Sequence, residues 1–129
     1  MAAEGTYPPL FTLKPVARDV WVADGPEIDF YRMPFPTRMT VVRLASGALW
    51  LHSPIAFSGK LLDQLQERGP IGHLIAPNWI HYAHLPEWQA AYPQAVAWGA
   101  PGVAERAAKN GLELRIDRAL QWDRAEEPW

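Results

Sequence analysis

The sequence predicts an α/β fold, a mixed β-sheet with flanking helices. Three observations predict it. Thr37 to Leu44 is a β-branched run, followed by Ala45-Ser46-Gly47 and a returning apolar run, Ala48 to His52. That is the pattern of an antiparallel hairpin with a tight turn. From residue 53 onward, apolar runs of strand length alternate with segments of helical period. Both hairpin strands are largely apolar, so both faces of the sheet are expected to be covered.

The chain of 129 residues fits one domain with a real core. A net charge of −2 gives no argument for nucleic acid or anionic membrane as a partner. With no cysteine, disulfides and thiolate metal sites are excluded. The N-terminus, MAAEGTYPPLF, lacks a basic segment followed by an apolar one, so no signal peptide is read. No run approaches the roughly 20 apolar residues of a membrane span, and a cytoplasmic location is expected. The 13 prolines are spread between short elements and act as punctuation.

In chain order, residues 1–15 read as an extended N-terminal arm and 16–129 as one α/β domain. Val20-Trp21-Val22 is a strand that the turn signal Asp24-Gly25-Pro26 should end. Residues 27–38 hold Pro34 and Pro36 and should form an irregular loop. After the hairpin, Leu61, Leu62 and Leu65 mark one helix face. Ser58 stands at its N-cap, Gly69 at its C′ position, and Pro70 as a stop. Ile71 to Ala76 is a buried strand. Pro86 to Tyr92 is a short helix with Pro86 at N1, ended before Pro93. Ala95 to Trp98 is a strand, Val103 to Asn110 a helix with Gly111 at its end. Leu112, Leu114 and Ile116 alternate with charged residues as a half-exposed strand. The later strands should pair in parallel through right-handed crossovers.

The polar groups with chemical potential gather between strand Ile71–Ala76 and the next helix, at the carboxyl end of a strand where open sheets build their sites. His81 and His84 are three apart and on a helical turn would share a face able to reach a metal. Two imidazoles fall short of the three protein ligands a catalytic zinc takes. His52 and Asp24, at strand ends, are further candidates. The plainer reading, and the commoner outcome for such spacing, is loop histidines hydrogen-bonded to backbone. Asn78 caps a turn or orients a histidine. Trp79, Tyr82 and Trp88 pack around the loop or line a pocket, packing being the better expectation. His73 reads as structural, and Ser53 lacks a nucleophile's context.

Trp50-Leu51-His52-Ser53-Pro54, Ala76-Pro77-Asn78 with His81, and Glu87-Trp88 through Tyr92-Pro93 together resemble the N-terminal half of the metallo-β-lactamase-like superfamily. They are most similar to one of its uncharacterised branches, a domain of unknown function. The resemblance implies part of an αββα sandwich and a metal motif Thr-His-x-His-x-Asp-His. With Asn78 at the Thr place, His81 and His84 fit the second and last His. Trp79 then replaces the first His, and Ala83 the Asp. With Pro77 there, Asn78, Ile80, Tyr82 and Ala83 replace all four ligands. The family's Asp at the end of the preceding strand is His52-Ser53 here. The resemblance therefore implies a degenerate metal motif, no catalytic activity of its own, no cofactor, and a binding or assembly role. The alternative it implies is a metal-dependent hydrolase with a reshaped mononuclear zinc or iron site on His81 and His84, His52 being a third ligand. Half a sandwich exposes an apolar sheet face, so a homo-oligomer or a missing C-terminal half is expected to cover it.

Overall fold

A computed structural model of the chain describes residues 6–30, 32–78 and 82–120. Among them are seven strands and three helices. In chain order they are β1 Leu13–Ala17, β2 Val20–Phe30, β3 Met33–Arg43, β4 Leu49–His52, α1 Gly59–Gln66, β5 Ile71–Ala76, α2 Leu85–Ala91, β6 Val96–Gly99, α3 Val103–Lys109 and β7 Arg118–Ala119. All seven strands form one mixed sheet whose spatial order is the chain order. Strands β1 to β4 are antiparallel neighbours, and β4 to β7 are parallel. The α/β class, the hairpin and the parallel pairing all follow the sequence.

Register assigns side chains to the two faces, because successive residues of a strand point to opposite sides. One row runs Leu13–Ala23–Met39 and the next Trp21–Val41–Leu51–Leu74–Ala97. All of these are buried. They share a core with Leu61 and Leu65 of α1, Leu85 and Trp88 of α2, and Val103 and Ala107 of α3. The three helices thus lie on one face, as successive right-handed crossovers moving in one direction require.

The other face carries the alternate residues. One row crosses all seven strands, from Lys14 and Val22 through Thr40, His52 and Ile75 to Trp98 and Arg118. Beside it stand Val20, Val42, Trp50, His73 and Val96. Ile75 and Trp98 are buried, but the other residues between the row's charged ends are only half-buried. Among the described residues, helices cover one face of the sheet, where the apolar strands led us to expect both.

Five other expectations are corrected. Strand β1 takes Leu13, Lys14 and Pro15 out of the N-terminal arm, anchored by Leu13 N–H donating to Gln64 Oε1 at 2.9 Å. Strand β2 does not stop at Asp24-Gly25-Pro26. It runs on through a bulge between Gly25 and Ile28, and Gly25 is needed for close approach. A Cβ there would lie 2.6 Å from Thr37 Oγ1 and 3.0 Å from Ile55 Cβ. Pro34 and Pro36 sit inside β3. Arg43 N–H bonds toward β2 and Leu44 N–H toward β4, so even-numbered residues of β3 face β4. Strand β4 ends opposite Thr40, so the N–H groups that both prolines lack would have pointed past it, toward an open edge.

The run Leu112–Ile116 keeps its alternation of half-buried and exposed residues but joins no ladder. Gln89 holds its backbone at Arg115, and Asp117, the residue that follows the run, holds β6. Gln89 Nε2 donates to the Arg115 carbonyl, and Asp117 Oδ2 accepts from Ala97 N–H at 2.8 Å. Helix α1 ends with Glu67 as its C-cap, two residues before Gly69. Gly69 is instead required because a Cβ there would run into the Gly47 carbonyl.

Candidate functional site

The sheet brings the carboxyl ends of β4, β5 and β6 side by side, with His52 opposite Ile75 and Ala76 opposite Gly99. His52 is the last residue of β4. Its ring stacks on Trp50 with centroids 5.4 Å apart, and its Nδ1 lies 3.2 Å from Ser53 Oγ. Ser53 is buried and in the left-handed region, φ 56°, where the chain turns out of the sheet; its N–H donates to the Ile75 carbonyl at 3.0 Å.

Asp24 lies on the same face of the sheet as His52, opposite Arg38 in the register. It is 1% exposed. Its two oxygens accept from Lys14 Nζ and Arg38 Nε, each at 2.8 Å. Burial pushes the carboxyl's pKa up, but the hydrogen bonds and charges of Arg38 and Lys14 outweigh that and hold it below the ordinary range. The Arg38 guanidinium is raised in return, chiefly by its bond to Asp24. It also stacks 5.1 Å from the centre of the Tyr7 ring. Asp24 is thus a satisfied anion, its two oxygens already engaged by cations. Lys14 and Arg38 carry no sequence signal of their own; pairing Asp24 with Arg38 across the β2–β3 hairpin would have revealed the arrangement.

Beyond β5, Asn78 is exposed and His84 forms the N-cap of α2. His84 Nδ1 stands 4.0 Å from Glu87 Oε1, one turn into the helix. Its Nε2 is buried with no hydrogen-bond partner. Tyr82 is buried, and its hydroxyl accepts from Asn110 Nδ2 at 2.6 Å, tying the loop to the end of α3. Trp88 is fully buried in the core. Its indole N–H donates to the Ile55 carbonyl at 2.7 Å, and its ring meets Phe57 edge-on and stacks over Tyr92. His81 and Trp79 lie outside the described residues.

His73 lies on the open face. Its Nδ1 accepts from Trp98 Nε1 at 3.1 Å. An indole nitrogen only donates, so the neutral ring carries its proton on Nε2. Burial, with the positive charge of Arg118 second, lowers the His73 pKa below the ordinary 6.5. Arg118 itself lies over the Trp98 ring, 5.5 Å from its centre.

The described donors do not fit a metal centre. Among the described residues, no group of three or more histidine, aspartate or glutamate side chains comes together. His52 projects from the open face, whereas His84 caps a helix of the opposite layer. Asp24 is spent on two cations. A groove of about 460 Å³ between Ala104, Ala108, Leu112 and Leu114 includes none of the candidate residues. No helix among the described residues is long and apolar enough to cross a membrane.

A family model described as a domain of unknown function (DUF4336) matches residues 18–128. No curated protein matches the sequence. Solved metallo-β-lactamases share the fold. FIM-1 from Pseudomonas aeruginosa, in its mono-zinc form, superposes with a TM-score of 0.64 at 15% identity over 87% of this chain and 51% of its own. The metallo-β-lactamase from Pontibacter korlensis gives 0.61 at 12% identity, over 88% of this chain and 54% of its own. TMB-1 gives 0.65 at 11% identity, over 94% and 54%. The chain therefore spans about half the length of these structures. What it corresponds to is a half of that fold.

Proposed function

From the premise that this chain belongs to the DUF4336 family and folds as half of a metallo-β-lactamase, we propose that it is a binding or assembly domain without a catalytic metal centre of its own. One observation carries the reading. The sheet face opposite the helices has the apolar and aromatic composition of a buried face, with Val22, Val42, Trp50 and Val96 on it, yet these residues are only half-buried. Such a face is a recognition surface more readily than a solvent surface. The polar groups near it are engaged in holding structure: Asp24 by its two cations, His73 by Trp98 and His52 beside Ser53. They do not converge on a common point.

The test is elemental analysis of protein purified without chelator, beside the variants His81→Ala and His84→Ala. Substoichiometric zinc and iron in all three fits the proposal. One equivalent of metal, lost in either variant and accompanied by ester or phosphodiester hydrolysis, overturns it.

That overturning result belongs to the second reading, a metal-dependent hydrolase with a reshaped mononuclear site. The observation in its favour is His84 Nε2, buried without a hydrogen-bond partner three residues after His81. A buried imidazole nitrogen left unsatisfied costs free energy that a ligand could recover.

A further inference from the structure

We propose that Asn110-Gly111 is a site of spontaneous modification, where the asparagine converts to aspartate and isoaspartate when the end of α3 opens, and that the conversion releases the loop ahead of α2 from that helix. The sequence holds two asparagines, Asn78 and Asn110, and Asn110 is the one followed by glycine. Glycine has no side chain to crowd its backbone nitrogen, so that nitrogen can attack Cγ of Asn110. A bond forms between Gly111 N and Asn110 Cγ, the Cγ–Nδ2 bond breaks, and ammonia leaves with the Gly111 amide proton. The product is a five-membered imide. Water opens it at either carbonyl, giving aspartate or, with the main chain rerouted through the side chain, isoaspartate. Water is the sole co-reactant. Both residues are exposed, and a Cβ built on Gly111 meets nothing within 4 Å, so water reaches the imide.

The fold holds both reacting groups apart. Asn110 is the C-cap of α3, with φ −98° and ψ 14°. At that ψ the nitrogen of Gly111 eclipses the backbone nitrogen of Asn110, not its Cβ, and so stands away from Cγ. Gly111 takes the left-handed region, φ 79°. Its N–H donates to the Ala108 carbonyl at 3.1 Å, and Leu112 N–H donates to the Ala107 carbonyl at 2.9 Å, the pair of bonds that closes a helix on a left-handed glycine. Asn110 Nδ2 donates to the Tyr82 hydroxyl oxygen at 2.6 Å and to the Arg106 carbonyl at 3.2 Å. Attack needs the Gly111 N–H and the Tyr82 tie to let go, and helix ends are where local opening costs least. Two hydrogen bonds, at about 2- to 12-fold each, slow the reaction roughly 5- to 150-fold relative to the unfolded chain. Either product alters the end of α3. Aspartate sets a negative charge against the Arg106 carbonyl, at the negative end of the helix. Isoaspartate adds a carbon to the main chain inside the closing turn and shortens the side group, which no longer reaches Tyr82. Tyr82 stands two residues before His84, the N-cap of α2, so the modification acts on the candidate loop.

The test follows the full chain in mildly alkaline buffer, folded and in concentrated guanidinium chloride, by peptide mapping with mass spectrometry. Modification is expected at Asn110 well before Asn78, which precedes Trp79 and serves as the internal control. The folded chain is expected to react roughly 5- to 150-fold more slowly than the unfolded one. Equal rates overturn the proposal, because the end of α3 then holds nothing back. A folded rate slower by more than about a thousandfold overturns it too, because reaction then waits for the whole chain to unfold. So does modification of Asn78 as fast as Asn110. Tyr82→Phe, folded by circular dichroism, is expected to raise the folded rate roughly 2- to 12-fold and to leave the unfolded rate unchanged; an unchanged folded rate overturns the tie. A second measurement needs no variant. The isoaspartate form of the natural chain, separated by its added negative charge, is studied by amide hydrogen exchange. The Leu85 N–H, bonded to the Tyr82 carbonyl at 3.0 Å, reports the loop. It is expected to exchange roughly 2- to 12-fold faster than in the unmodified chain, and unchanged exchange overturns the release.

Discussion

Replacing Asp24 with Asn is expected to lower stability by about 2–3 kcal/mol at pH 7. Each charge-assisted hydrogen bond to the carboxylate is worth roughly 1.5–3 kcal/mol, and Asp24 makes two. The loss stays below the 3–5 kcal/mol typical of a broken, fully buried pair, because the side chains of Lys14 and Arg38 remain 28% and 51% exposed and rehydrate. Asparagine also keeps one acceptor oxygen while turning an N–H₂ toward a cation. For a chain of this size, about 3–5 °C of melting temperature accompanies each kcal/mol, so a fall of roughly 6–15 °C is expected. The assay is thermal and urea unfolding followed by tryptophan fluorescence. It should be repeated down the pH scale, because the folded carboxyl lies below its ordinary value of 3.8. A depressed carboxyl contributes stability that is present above the ordinary value and lost as pH falls through the folded one. The gap between natural chain and variant is therefore expected to hold from pH 7 to about 5 and to close in stronger acid. A gap under about 1 kcal/mol at pH 7, or one that widens in acid, refutes the reasoning.

Three further outcomes follow from the same structure. His73 is expected to titrate below 6.5 in NMR, and Trp98→Phe to remove the hydrogen bond to its Nδ1 and change the tautomer signature of its ring nitrogens; a midpoint at or above 6.5 would contradict the burial argument. Gly25→Val is expected to cost about 1–3 kcal/mol through overpacking against Thr37 and Ile55, read as a shift in urea midpoint, and an unchanged midpoint would mean the bulge has room to give. Trp88→Ala is expected to cost roughly 3–5 kcal/mol, since it empties a fully buried site and leaves the Ile55 carbonyl without its donor; a loss below about 1 kcal/mol would show that the core does not rest on this ring.

Elements whose signal is local were legible in the sequence. The hairpin at Ala45-Ser46-Gly47 and strand β5 stand where their turn and apolar run put them, and helix α1 starts after Ser58 as its N-cap signal says, though it ends before Gly69. The misreadings share one cause, which is that a neighbour decides. Pro34 and Pro36 look like strand breakers until the length of β4 shows that the hydrogen bonds they forgo have no partner strand. Gly25-Pro26 looks like a turn until Ile55 shows why a strand there needs a residue without a side chain. Leu112–Ile116 alternates as a strand does, but its Arg115 carbonyl is met by the Gln89 side chain and not by a neighbouring strand. At the site, the position of His52 at the end of a strand was readable from the chain. That Asp24 is occupied by Lys14 and Arg38 was not, because those residues are 10 and 14 positions away and meet it only through register.

The agreement between spatial and chain order has a consequence for how the protein is made. Each strand after the first, as it leaves the ribosome, finds its partner already synthesised and waiting at the growing edge. No strand must be held in reserve for one that comes later, and no early segment must be threaded between finished ones. Loop-closure entropy is met in small steps, each rewarded by a new ladder before the next is attempted. A sheet built this way lengthens like a fence, panel by panel. It shows an open edge to the cell for only as long as the next panel takes to arrive.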